Sequence, residues 1–468
     1  MNHQCDVVVI GGGVSGLTTA WWLRKAGYSV IVLESESAVG GTMKSVSVDG
    51  WLFEAGPNTA LETTPLFRTL FSDLQIQEEV EYGKSLSDKR FILRDGMLHP
   101  LPMSPLAFFR SGLWSAKGKL RLLKEPFVGR AGKEETVAEF VVRRLGQEFL
   151  DYAVNPFVAG VYAGSPEELS VRAAFPKLYA LEERYGGLIK GQFKGARERR
   201  KRKETAKDRS RLFSFRTGMQ ALPLAIAARL GDTVRTNVAV RSINVASGQP
   251  ITVCADDSGT LLVLKARSVV TTIPSYKLAP IVSPMDRHLA VALESVYYPP
   301  VAEVFLGYER SQVRHPLDGF GYLIPAKERR SILGTLFSSA LFSGRAPKGH
   351  VAVTTFIGGS RQPEMAQFDQ ARLMATVTSE LRALLGVNGE PVFSRVISWE
   401  RAIPQYKIGH LSMVEQIVDF ERRHPGLFIS GNFRGGIAVS DCVISSDRVA
   451  TQVSEYLKRC EYKSGSGS

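Results

Sequence analysis

The chain opens on a continuous apolar run, Asp6-Val-Val-Val-Ile10, rich in β-branched residues and without apolar/polar alternation. A strand of that kind is buried on both faces, as in a parallel sheet. Residues 17–26 carry helical patterning that stops at Gly27, a glycine in the C′ position. Residues 29–33 form a second apolar strand with Glu34 at its tip. The succession returns near the other end. Pro425-Gly-Leu-Phe-Ile-Ser-Gly431-Asn432 predicts a strand entering a glycine turn, and Arg434-Gly-Gly436-Ile437-Ala438-Val439 opens a helix over 442–457. Between these ends, residues 86–205 read as helical with proline breaks. Thr136-x-x-Glu139 makes a capping box, and Val137, Phe140, Val141, Leu145 and Phe149 mark one helical face.

Gly11, Gly13 and Gly16 stand at G-x-G-x-x-G spacing between the first strand and its helix. The first permits a tight turn, the second a close backbone approach to a pyrophosphate, and the third close packing of helix on strand. The segment Gly11, Gly12, Gly13, Val14, Ser15, Gly16 then presents a helix N-terminus to the phosphates. Glu34, with Ser35 beside it, is placed to accept hydrogen bonds from adenosine ribose hydroxyls. Val39-Gly40-Gly41-Thr42 and Phe53-Glu-Ala-Gly56-Pro57-Asn58, running on into Thr59, add further small-residue turns, as a longer cofactor held along several loops requires. The reading is therefore FAD. The second helix start, with Gly431, Asn432, Gly436, Ile437, Ala438 and Val439, suits the flavin edge or a phosphate. Two such units at opposite ends of one chain predict a discontinuous FAD domain.

Size and charge refine this. At 468 residues, two or three domains are expected. Of the net charge of +13, an excess of seven lies in residues 194–211, with ten Lys or Arg against three Asp or Glu. No aromatic residues interleave with that run, so it reads as a solvated segment rather than a nucleic-acid stripe. Cys5, Cys254, Cys442 and Cys460 are scattered and the seven histidines lack ligand spacing, so neither a disulfide framework nor a metal site is expected. Residues 1–4 contain no signal-peptide pattern and no apolar run is long enough to span a membrane, which suggests a cytoplasmic protein. Ser464-Gly-Ser-Gly-Ser468 reads as an artificial tail.

Several motifs resemble the oxygen-dependent protoporphyrinogen oxidases. They are Pro156-Phe-Val-Ala-Gly160-Val-Tyr-Ala-Gly164 with Leu169-Ser170 and Ala173-Ala-Phe175, Ser214-Phe-Arg-Thr-Gly218-Met219, Gly319-Phe320-Gly321-Tyr-Leu323-Ile-Pro325, the run from Gly334 to Phe342, and Gly431 to Gly436. The resemblance implies oxidation of protoporphyrinogen IX to protoporphyrin IX, with molecular oxygen as acceptor and hydrogen peroxide as product. It implies that Arg90 pairs with a propionate, that Phe320, Gly321, Leu323 and Phe342 enclose the tetrapyrrole, and that Gly160 and Gly164 let the ring lie against backbone. Val238 and Trp399 match cofactor-facing positions. No general base stands out among these residues. A homodimer and handover of product to a ferrochelatase complete the set of expected partners.

The implied fold is α/β plus α: a discontinuous Rossmann-like FAD domain (1–85, 206–270, 395–460), a mixed-sheet substrate domain (271–394), and a helical membrane-associating domain (86–205), with 461–468 as tail. Leu106, Phe108, Phe109, Leu113 and Trp114, interspersed with Arg110, Lys117, Lys119 and Arg121, suit an interfacial helix. The rivals are a coproporphyrinogen III oxidase of the same fold, whose four-propionate substrate calls for a more cationic pocket, an amine oxidase or carotenoid desaturase, and a non-catalytic flavoprotein that carries porphyrin.

Overall fold

The computed structural model describes residues 3–84, 89–192, 194, 210–246 and 248–465. The basic run of 194–211 falls almost wholly outside them. Among the described residues two seven-stranded sheets organise the chain. The first is built on strand His3–Ile10, flanked by parallel partners Val30–Leu33 and Thr260–Thr271. Val7, Val8 and Val9 are fully buried, as the unalternating apolar run requires. Strand Leu427–Ile429 pairs in parallel with Thr260–Thr271, which brings the end of the chain beside its beginning. Helix Val439–Gly465 packs against helix Val14–Lys25, and Ser446 Oγ donates to the Ser15 carbonyl at 2.8 Å.

The second sheet runs, in spatial order, Phe393–Trp399, Val301–Glu309, His350–Gly358, Gly334–Leu336, Gly321–Leu323, Arg90–Arg94 and Met97–Pro100. One face is closed by helix Gln370–Leu385, with Leu373, Val377 and Leu381 against Ala302, Val304, Leu306 and Tyr322. The opposite face looks toward residues 155–163 and the first domain.

Two expectations change here. The segment 86–205 is not helical throughout: Arg90–Arg94 and Met97–Pro100 form a hairpin that completes the second sheet. Periodicity could not separate such short strands from helix. The apolar face from Val137 to Phe149 also belongs to two helices. The predicted capping box is present, with Glu139 N–H on Thr136 Oγ1 and Thr136 N–H on Glu139. The helix nevertheless stops at Arg144, because Gly146 takes φ of +98°.

Arg144 anchors the helical region. Its fully buried guanidinium donates to Glu182 at 2.6 Å, to Glu125 at 3.2 Å, and to the carbonyls of Val128 and Gly186. Removing one partner of such a pair leaves uncompensated buried charge. Arg144→Leu should cost about 3–5 kcal/mol, read as a lowered denaturation midpoint, and more than Glu125→Gln.

Candidate active site

The loops singled out in the sequence meet as one cradle. A Cβ on Gly16 would stand 1.9 Å from the Gly11 carbonyl oxygen, and one on Gly56 would stand 2.0 Å from that of Thr42. Only glycine permits those approaches. Gly13 packs against Gly41, whose added Cβ would stand 3.4 Å from the Gly13 Cα, and Gly40 N–H donates to Gly12 O at 2.9 Å. Helix Val14–Lys25 has no side-chain cap and no acidic residue in its first turn, so its leading N–H groups are left for an anion. The Glu34 carboxylate is fixed at the strand tip by N–H groups of Gly12 (2.6 Å) and Glu36 (2.9 Å). Val238 N–H donates to Glu34 O, which holds that residue beside the acidic strand tip. Residues that accept a backbone so closely fit a dinucleotide.

At the far end, Tyr406 holds the returning chain. Its hydroxyl donates to Asn432 O at 2.5 Å and accepts the Gly436 N–H at 2.9 Å, while its ring stacks on His410. Sequence reading missed this residue, because its partners lie 26 and 30 positions away.

The open face of the second sheet carries the remaining candidates. Residues paired across a ladder share a face. One row therefore runs Ile397, Glu303, Phe356, Gly334, Leu323, Ile92. The adjacent row runs Arg395, Phe305, Thr354, Leu336, Gly321, Arg90. Leu323, Leu336 and Phe356 are half-buried on a sheet whose neighbouring positions are mostly closed. Large apolar side chains left open in this way line a pocket. Leu336 and Phe356 were not anticipated; the alternation in Thr354-Thr-Phe356 was their only signal. Arg90 begins the hairpin strand with its guanidinium 5.0 Å from the half-buried Phe320 ring.

Gly160 lies in helix Asn155–Tyr162, where an added Cβ would meet Leu323 at 2.5 Å. Neither Gly160 nor Gly164 has positive φ, so close approach is the reason for glycine at both. At Gly164, however, the space is filled by Gln405, whose Oε1 would lie 2.3 Å from a Cβ. That glycine packs protein against protein rather than receiving a macrocycle. Arg361 ties the two sides together by donating to Ile324 O and Asn155 Oδ1. Phe342 is buried beside Arg345 and lines a narrow cleft with Asn58, Thr59 and Leu336. Trp399 places its buried indole Nε1 toward the same region with no hydrogen-bond partner.

The model of the flavin-containing amine oxidoreductases matches residues 14–454. The chain belongs to that family. It is also 34% identical to protoporphyrinogen oxidase 2 (chloroplastic/mitochondrial) of Arabidopsis thaliana, over 98% of this chain and 97% of the relative. Identity to coproporphyrinogen III oxidase of Bacillus subtilis is 26%, over 96% and 98%. A crystal structure of reduced UDP-galactopyranose mutase has the same fold, with a TM-score of 0.72 at 16% identity and coverage of 96% and 95%. This member of the family is an FAD-dependent oxidoreductase of mixed α/β fold. Its residues make the cradle just described, and bound FAD supplies the redox chemistry.

Tyr406→Phe removes both bonds to the closing loop. Flavin affinity should fall about tenfold, at roughly 1 kcal/mol per hydrogen bond and allowing for partial rescue by water, without loss of fold. Flavin content after dialysis, set against the far-ultraviolet dichroism, measures it.

Proposed function

We propose that this flavoenzyme oxidises protoporphyrinogen IX to protoporphyrin IX in three two-electron rounds, each returned to molecular oxygen as hydrogen peroxide. The observation that carries the reading is the open sheet face. It joins an apolar wall, an arginine at one end and a glycine helix opposite, beside a cradle for FAD. A flat, apolar macrocycle with two propionates on one edge matches that arrangement.

Each residue has a limited task. Arg90 binds a propionate, since guanidinium stays charged when partly desolvated and can bond a carboxylate bidentately. The Phe320 ring beneath it restricts the guanidinium's orientations. Leu323, Leu336 and Phe356 take the pyrrole rings and exclude water. Gly160 lets its helix lie directly against Leu323, because any side chain there would collide with it, and so sets where the Leu323 wall stands. The overall positioning supplies much of the rate, as it does wherever the cofactor performs the electron chemistry.

The coproporphyrinogen reading is tested by turnover of both porphyrinogens; preference for the four-carboxylate substrate would replace our assignment. A carrier is separated from an enzyme by anaerobic addition of protoporphyrinogen, which should bleach the flavin. Arg90→Ala should raise KM about 10- to 100-fold, the worth of a charged hydrogen bond, and leave flavin content unchanged. An unaltered KM removes Arg90 from the site.

Peripheral membrane contact is part of the same proposal; of the residues first expected, Leu106 and Phe109 stay on that face, whereas Phe108 packs against Trp114 and Phe149. Leu113 is fully buried, and Trp114 stacks on Phe149 at 5.1 Å, so both belong to the core. The exposed apolar side chains are Met103, Leu106, Phe109, Leu120, Leu123 and Phe127, at 61–88% exposure. All but Met103, which precedes the first of them, lie with Arg110, Lys119 and Arg121 on short helices, a composition suited to an anionic bilayer surface. No helix among the described residues is long and apolar enough to cross a membrane. Phe109→Glu with Phe127→Glu should reduce retention on anionic vesicles at unchanged turnover; equal retention would refute this face.

A further inference from the structure

A buried acid stands where the substrate face meets the cofactor cradle. Glu303 lies in the interior of strand Val301–Glu309, in register with Phe356 on one side and Ile397 on the other. Its residue is 4% exposed. Around it are the Asn58 amide, the Gly56 backbone N–H and the Trp399 indole, which favour its ionised form, and the Glu54 carboxyl, which opposes it. Oε2 of Glu303 and Nε1 of Trp399 are both buried without a hydrogen-bond partner.

Burial outweighs the favourable neighbours and pushes the Glu303 carboxyl up to about 8. Glu54 bears on it with a carboxyl of its own. That group is also raised by burial, against Arg345 at 3.7 Å, the Ser45 hydroxyl and the Met219 N–H. A valine or leucine would fill an interior strand position without the desolvation that an acid incurs. The half-satisfied carboxyl therefore has no stabilising role to account for it. It sits between residues of the flavin loop and the Phe356 wall of the pocket.

We propose that Glu303 is the proton-exchanging residue of the redox site, cycling between carboxylate and carboxylic acid as each pair of electrons passes. The inference rests on the proposed porphyrinogen reaction. In each round a hydride, carrying two electrons, leaves a meso carbon for FAD and a proton leaves the macrocycle; over three rounds the protons come from two pyrrole nitrogens and, through tautomerisation, the fourth meso carbon. Glu303 takes that proton in its carboxylate form, which predominates only on the alkaline side of about 8, so turnover should rise with pH through that range. When molecular oxygen accepts the two electrons, the stored proton and the one carried by the reduced flavin leave with it as hydrogen peroxide. Glu303 is then a carboxylate again, and atoms and charge balance.

Infrared difference spectroscopy of the wild-type holoprotein decides the charge state without any variant. A buried carboxylic C=O band should titrate with a midpoint near 8 and be missing from Glu303→Gln. Linkage gives a second readout. The folded form holds the proton between the ordinary carboxyl range and about 8, whereas the unfolded chain releases it. Wild-type stability should therefore fall as pH rises from about 5 to 8. Glu303→Gln should flatten that fall and raise Tm relative to wild type at the alkaline end. In turnover, the variant should lose about 100-fold or more in kcat, with KM and flavin content retained, and Glu303→Asp should recover part.

Equal kcat and an unchanged pH profile in Glu303→Gln would overturn the proposal, as would a wild-type spectrum without the titrating band. Anaerobic bleaching of the wild-type flavin by protoporphyrinogen separates the two ideas. If it occurs while Glu303→Gln behaves as wild type, only this inference fails. If it does not occur, the reaction itself is misassigned.

Discussion

Main chain must meet main chain in the cofactor cradle, and the rest of the structure is arranged around that requirement. Gly16 against Gly11 and Gly56 against Thr42 leave no room for a Cβ, so two helix starts and two loops converge on one strip of bare backbone. That strip offers N–H groups at the positive ends of helices, where an anion is stabilised without burying a lysine or arginine. The convergence uses opposite ends of the chain. Strand Leu427–Ile429 enters the first sheet beside Thr260–Thr271, and the helix from Val439 lies along the helix from Val14. Tyr406 then fixes the turn between them through two hydrogen bonds.

The second sheet divides its labour between faces. One row of alternate residues packs under helix Gln370–Leu385 and supplies stability. The other leaves Leu323, Leu336 and Phe356 partly open, with Arg90 at one end and Glu303 toward the other. A strand has a side-chain period of two, so the same segments serve both ends at once. Arg361 and Asn155 hold the glycine helix against this face through hydrogen bonds to Ile324 O and Ala326 N–H.

Buried charge is handled differently in different places. Around Arg144 it is paired with Glu125, Glu182 and two carbonyls, with only Nη2 left without a partner, and the network fixes the helical region. Around Glu303 it is left open, with an oxygen and an indole nitrogen unpaired. Paired opposite charges give rigidity, whereas a buried acid without a cationic partner retains the capacity to gain or lose a proton.

Much of the cradle was legible in the sequence, because glycine spacing, apolar strands and the acidic strand tip are local signals. The Gly11–Glu34 unit, the Gly27 stop and the capping box at Thr136 all follow from interactions within one or two turns of chain. The open face was legible only in fragments: Arg90, Gly160, Phe320 and Leu323 came through resemblance, while Phe356, Leu336, Tyr406 and Glu303 did not appear. Leu106, Phe108, Phe109, Leu113 and Trp114 were read as one interfacial set, of which only Leu106 and Phe109 are exposed and Leu113 and Trp114 are core. Local pattern determined which segments become strands, helices and tight turns. Strand register across hundreds of residues decided which side chains share a face, and packing decided which apolar residues stay buried. Both depend on partners that are distant in the chain, which is why the flavin site could be read from the sequence and the acid beside it could not.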